Sequence, residues 1–438
     1  MAERRRSAGY GAGARLLSAG IALTGVVTFA YFSVASYVLG DVDYKQVSLL
    51  WSVLFVTVTV IYRPIEQLLS RTIADRRARG LETGHPLRTP LLLQGAFAAA
   101  ALGLGLALHG PLVHDLFDGD SAMYWILLAG VAFYAASYFA RGWLAGHQWF
   151  ALYGGLVFME SASRLLFALA VAVGIAHGQT AVALGMAAAP LVSLVVVPFA
   201  FSRHRGAARS AAPRRTKDDD LALARGGRFA VAVLVVMLAE QTLINGAVLT
   251  VNATAANAAA AGFVFNALLI ARAPLQLFQA IQGSLLPHLA GLNATEAGAG
   301  EFRRAIRITI LAIAAFAGAC AIGLLAIGPW VMGILFDVSI SYGRFGLALV
   351  AVGMGLHLAA GTLNQAALAR DHAAAAAVCW LAAAGLFLAW MLSGIVGSQL
   401  LRAEVGYAGA TAVLCALLAV VYLRKPPAPV RAAARPAA

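Results

Sequence analysis

The sequence predicts an all-α polytopic membrane protein, with about twelve transmembrane helices in two six-helix lobes related by a pseudo-twofold axis around a central cleft. Three observations carry that prediction. Of the 438 residues, 61% are hydrophobic and 12% charged, with a mean hydropathy of +0.81. A soluble chain carries about 25% charged residues, so this apolar surface needs lipid as its solvent. Apolar runs of about twenty residues, the length that crosses a bilayer, recur along the chain. Every second loop between them is basic.

The runs place spans at 16–39, 46–70, 89–109, 122–140, 151–174, 180–201, 229–251, 258–280, 308–327, 345–368, 374–396 and 406–423. The opening MAERRRSAGYGAGAR resembles the basic start of a signal peptide. The run behind it is longer than an h-region of about 7–15 residues and has no small-residue cleavage site, so it reads as the first helix. The apolar stretch 47–62 is short for a span. It reaches full length only if the helix continues through Pro64 to about Ser70.

Loop charge sets the orientation. Of 32 Lys and Arg residues, 26 fall on one side, including Arg71, Arg141, Arg228, Arg307 and Arg370; only Lys45, Arg344 and Arg402 fall on the other. The basic side, which holds both termini, is read as cytoplasmic. The remaining three, Arg63, Arg164 and Arg272, lie within spans. The preference for Arg over Lys, with abundant Ala and Gly, is associated with GC-rich bacterial genomes, and the expected location is a bacterial inner membrane.

The net charge of +13 is dealt out between apolar runs rather than gathered in one module, so it is not read as nucleic-acid binding. Cys320, Cys379 and Cys415 lie inside apolar runs and offer no disulfide framework, and the nine His form no HExxH pair. No cofactor, metal site or enzymatic activity is expected.

The organisation expected is a six-helix lobe over 1–201, a cytoplasmic linker over 202–228 containing RSAAPRRTKDDD, a second lobe over 229–423 and a Pro/Ala-rich tail over 424–438. An internal repeat supports it. The second span ends YRPIEQLLSRTIA and the eighth ARAPLQLFQAIQGSLLPHLA, each with Arg and Pro near the cytoplasmic end. Six helices separate them, an even number, so the halves share one orientation. Pro64 and Pro274 each remove a backbone hydrogen bond and are expected to kink their helices.

These segments, with RGWLAGHQWFALYG, ESASRL, EQTLINGAVLTV and LNQAALARDH, resemble the polysaccharide flippases of the MATE-like (MOP) superfamily, such as bacterial O-antigen flippases, over roughly 15–423. The rival major facilitator motif is matched only partly by RTIADRRARG, because Arg71 and Ala78 occupy its glycine positions. The resemblance implies a carrier of polyprenyl-pyrophosphate-linked oligosaccharide for cell-surface polysaccharide synthesis, with membrane lipids and a polysaccharide assembly pathway as its partners. It also implies that basic residues of the second and eighth helices, here Arg63 and Arg272, face the cavity.

Ionisable residues inside spans are costly and are functional candidates by default. Glu160 and Arg164 lie four apart in the fifth span; they form a neutralised pair, or Arg164 meets a pyrophosphate. Arg272 either snorkels to the headgroups or binds substrate. Glu240, with Gln241 and Asn245 nearby, either serves proton or sodium coupling or pairs with Arg272. Glu66 and Gln67 either gate the cytoplasmic mouth or pair with Arg71. Gln276, Gln279 and Gln282 form a stripe that serves sugar contact or helix packing. The alternatives to a flippase are a MATE-type cation-coupled drug exporter and a non-transporting membrane scaffold.

Overall fold

The computed structural model describes residues 20, 23–78, 87–195, 197–198, 219–255, 259–270, 275, 298–337, 341–370 and 372–423. All the regular structure among them is helical. The first half comprises α1 (Leu23–Val38), α2 (Asp41–Ala78), α3 (Arg88–Ala107), α4 (Ser121–Gly146), α5 (Phe150–Ala172) and α6 (Gly178–Ser193). The second comprises α7 (Asp219–Thr254), α8 (Ala260–Ile270), α9 (Gly298–Leu335), α10 (Arg344–Ala369), α11 (Ala373–Leu392) and α12 (Gln399–Leu423). Nine of these are long and apolar enough to cross a membrane, and α1, α6 and α8 are shorter apolar helices, all counted among the described residues.

The halves repeat one packing plan. Within the first, α4 packs on α6 and α5 on α6; within the second, α10 packs on α12 and α11 on α12. Gly20, three residues before α1, approaches the Gly154 backbone of α5 closely, and α7 packs on α11 in the same relation. Between halves, α2 lies along α7. Its counterpart is α1 on α8, where the Phe32 and Phe265 rings stand 4.5 Å apart.

In lipid no hydrophobic force pulls helices together, so small residues that let backbones approach do much of the work. Gly142 on α4 is one: a Cβ there would sit 2.8 Å from the Glu66 carbonyl oxygen of α2. Gly353 does the same between α10 and α12, where a Cβ would meet the Tyr407 ring at 2.8 Å. The peripheral α3 and α9 are the least covered of the described spans and show Leu and Ile to the outside.

Local signals fix the connections. Asp118 and Gly119 both adopt positive φ in the turn before α4, and the Asp120 carboxylate then caps that helix, accepting from the Ala122 amide at 2.8 Å. The helices overrun the apolar windows read from the sequence. α4 extends through Arg141, which the charge count treats as a loop residue, and α7 starts at Asp219, inside the stretch read as linker. At α4 the apolar window falls short because Arg141 continues the helix by pairing with Glu160 inside the bundle.

The halves join firmly at the end where α1 finishes and α2 begins. Ser33 and Tyr37 of α1 donate to the Leu335 and Ile334 carbonyls of α9, each at 2.5 Å. The Asp337 amide donates to the Ser36 hydroxyl at 3.2 Å, and Phe29 packs on Phe336. Tyr44 at the head of α2 donates to the side-chain amide oxygen Oδ1 of Asn266 on α8.

Candidate functional site

Two clusters of buried polar side chains occupy the halves, and most of the sequence candidates fall in them. In the first half, α2 supplies Arg63 and Glu66, α4 supplies Tyr134, Ser137, Tyr138 and Arg141, α5 supplies Tyr153, Glu160 and Arg164, and α6 supplies Ser193.

Glu160 is 2% exposed and paired with Arg141 of α4, not with Arg164 as the spacing of four suggests. Ser137 donates to its Oε1, as does Ser193 at 3.4 Å, and the Arg141 guanidinium rests 4.5 Å from the Tyr138 ring centre. Sharing a helix face permits contact without requiring it. Here α4 brings a second guanidinium in from the side, and Arg164 turns toward α2.

Arg164 is 3% exposed. It donates to the Tyr134 hydroxyl at 2.9 Å, and its guanidinium carbon stands 5.0 Å from the Trp51 ring centre and 5.5 Å from that of Phe55. Its Nε is buried with no hydrogen-bond partner, and no described carboxylate lies within salt-bridge distance. Aromatic faces partly offset a buried cation, since ring quadrupoles attract it by about 0.5–2 kcal/mol. They do not cancel its charge.

Glu66 is buried and accepts from the Tyr153 hydroxyl at 2.8 Å, leaving its Oε2 buried without a partner. Tyr153, not Arg71, is therefore its hydrogen-bond partner. Arg63 lies within electrostatic reach of Glu66, Tyr138 and Tyr153, and of Glu240 in the other half. The described first-half cluster thus holds three guanidiniums (Arg63, Arg141, Arg164) against two carboxylates (Glu66, Glu160).

The second half is arranged differently. His357 of α10, 2% exposed, has its Nε2 4.0 Å from the Glu240 carboxylate of α7 and its Nδ1 3.3 Å from the Tyr407 hydroxyl of α12. The Trp380 ring stands edge-on to the imidazole at 5.5 Å and its Nε1 donates to Asn364 at 3.1 Å. Asn245 donates to Gln241 one turn away at 2.9 Å. His357, Tyr407, Trp380 and Asn364 are absent from the sequence candidates. Extending the search for ionisable residues within spans to histidine would have found His357. Arg272, Gln276, Gln279, Gln282 and Pro274 lie outside the described residues, as do 202–218 of the linker region and the tail.

No protein-family model matches the sequence, and no curated protein matches it. Solved structures do match. The eukaryotic MATE transporter AtDTX14 superposes with a TM-score of 0.65 at 16% identity, over 95% of this chain and 96% of that one. The outward-facing conformation of a multidrug resistance MATE family transporter of the MOP superfamily matches with a TM-score of 0.60 at 14% identity, over 94% of each chain. An inward-facing conformation of such a transporter matches at 0.56 and 14%, over 91% of this chain and 93% of that one. The chain therefore has the MATE transporter fold: twelve membrane helices in two six-helix lobes around a central cleft.

Proposed function

We propose that the protein is an alternating-access carrier for an anionic cargo, a polyprenyl-pyrophosphate-linked oligosaccharide, which it flips from the inner to the outer leaflet of a bacterial inner membrane. The fold supports the mode of transport, because MATE neighbours are solved in both inward- and outward-facing forms. The single observation that supports the cargo's sign is the excess of guanidinium over carboxylate in the first-half cluster, with Arg164 buried among aromatic rings and no carboxylate of the described residues within salt-bridge distance. A guanidinium fork matches phosphate oxygens with two parallel hydrogen bonds. The lipid-linked sugar itself comes from the sequence resemblance.

Arg63, at the face where α2 meets α7, is assigned to the pyrophosphate with Arg272, and Arg164 to the charge that holds it in the first half. Gln276, Gln279 and Asn245 are assigned to sugar contacts, and Glu66 to the gate. Glu160 keeps Arg141 neutralised. Glu240, facing His357 and within reach of Arg63, is assigned to coupling, because a change in its charge would be felt in both halves. That pair also favours a second reading, cation-coupled drug export, which needs an acid in the membrane.

Reconstitution in proteoliposomes separates the two. Flipping is read as headgroup accessibility of lipid-linked oligosaccharide, and export as efflux of a cationic dye. The expected result is flipping that falls by about tenfold in Arg63→Ala, Arg164→Ala or Arg272→Ala, the equivalent of about 1.4 kcal/mol each. Dye efflux without flipping by the folded parent protein would replace the flippase reading with the exporter.

A further inference from the structure

The first turns of α9 bury one face and charge the other. Phe302 and Ile306, 1% and 2% exposed, turn into the second half. Arg303, Arg304 and Arg307 are exposed, and no described carboxylate lies within salt-bridge distance of any of them. The acid of this segment, Glu301, sits in the first turn and is exposed too. The buried face is held by Arg370, just past α10. Its guanidinium carbon lies 4.7 Å from the Phe302 ring centre and 4.6 Å from that of Tyr422 on α12, and it donates to the Tyr422 carbonyl at 2.7 Å. The basic patch is therefore pinned against the ends of α10 and α12.

The charged face continues as an aliphatic one. Residues four and seven positions on share a helix face. From Arg304 that face runs through Ile308 and Leu311, 55% and 57% exposed, to the exposed Ala315, and Arg307 leads to Leu311 as well. A Cβ at Gly318 would meet nothing within 4 Å, so the surface stays open. Basic at one end and aliphatic along its length, the stripe has the order of polarity of a phospholipid. A soluble phosphate would leave the aliphatic part uncovered. The peripheral helix of the first half, α3, supplies the contrast: among the described residues it begins with Arg88 alone, ahead of a run as little covered as that of α9.

We propose that the start of α9 is a binding site for an anionic phospholipid from the leaflet on the basic side of the bundle. Arg303, Arg304 and Arg307 hold the phosphate, and an acyl chain lies along Ile308 and Leu311. Guanidinium forks match phosphate oxygens with parallel hydrogen bonds. Basic residues at the edge of a span are drawn to anionic headgroups, and the attraction is screened by salt. The Arg370 contacts fix the helix in place, so the three side chains need little ordering beyond their own rotamers.

The site stands apart from the flippase reading, and its test needs no transport substrate, so each idea can fail alone. A bimane label at Ala315→Cys reports the acyl stripe. One at Ala99→Cys, as far along the chain from Arg88 as Ala315 is from Arg304, reports the matching place on α3. Both are read after Cys320, Cys379 and Cys415 are replaced by Ala. In nanodiscs, half-maximal quenching of the α9 label is expected at about one-fifth or less of the mole fraction with brominated phosphatidylglycerol as with brominated phosphatidylcholine, the worth of one basic residue at an anionic surface. The α3 label is expected to show a smaller preference. Changing Arg303, Arg304 and Arg307 together to Gln is expected to abolish the preference at α9. An α9 label that treats the two lipids alike overturns the proposal. So does an equal preference at both labels, which marks general surface charge only, and so does a preference that survives the triple change. Loss of the preference in inorganic phosphate, beyond that in sodium chloride of equal ionic strength, makes the occupant a free phosphate and overturns the lipid. The two labels on the unsubstituted arginines decide the matter should the triple variant fail to fold.

Discussion

The two halves share a packing plan and differ in what they bury. The first encloses three guanidiniums and two carboxylates, tied by Ser137, Ser193, Tyr134 and Tyr153. The second sets the Glu240 carboxylate 4.0 Å from the His357 imidazole, which also meets the Tyr407 hydroxyl and stands beside Trp380 and Asn364. A repeated fold does not oblige its copies to do the same chemistry. On the proposed reading, the half with the guanidinium excess holds the anion and the half with Glu240 and His357 registers a change of charge at one acid.

The sharpest way to break that contrast is to strand a charge. Arg141→Ala or Glu160→Ala leaves the partner buried alone and is expected to cost about 3–5 kcal/mol, seen as a large loss of thermal stability in nanodiscs. The double change to Met at both positions is expected to recover most of it. A single-site loss as small as in the second half would remove the distinction. Overpacking tests what the halves have in common: Gly142→Val and Gly353→Val are each expected to cost about 1–3 kcal/mol or more in the same melt, by similar amounts. His357→Ala, which removes a hydrogen bond and a ring contact, is expected to cost about 1–2 kcal/mol. Asp120→Ala deletes a cap outside both clusters and should cost about 1 kcal/mol.

The helix order and the two halves were legible because a bilayer demands long apolar runs and loop charge alternates with topology. The positions of Glu160, Arg164, Glu66 and Glu240 in the membrane were legible for the same reason, since an acid or Arg inside a span is conspicuous. Their partners were not. Spacing within a helix names neighbours on one face, whereas Arg141 reaches Glu160 from α4 and Tyr153 reaches Glu66 from α5, across interfaces that depend on where glycines let helices meet. Arg141 itself was hidden because it sits at the edge of an apolar window and looks like an orienting charge.

The two helices that run along the boundary between halves are long. At about 1.5 Å per residue, the 38 residues of α2 reach about 57 Å and the 36 of α7 about 54 Å, against a hydrocarbon core of about 30 Å. With α2 rooted at the joined end, its far tip is the end of a lever. A rotation of about 10° about the join would carry that tip about 10 Å, a displacement large enough to uncover a headgroup-sized opening while side chains at the pivot shift by about 1 Å. Small contacts at one end can therefore govern a wide gap at the other.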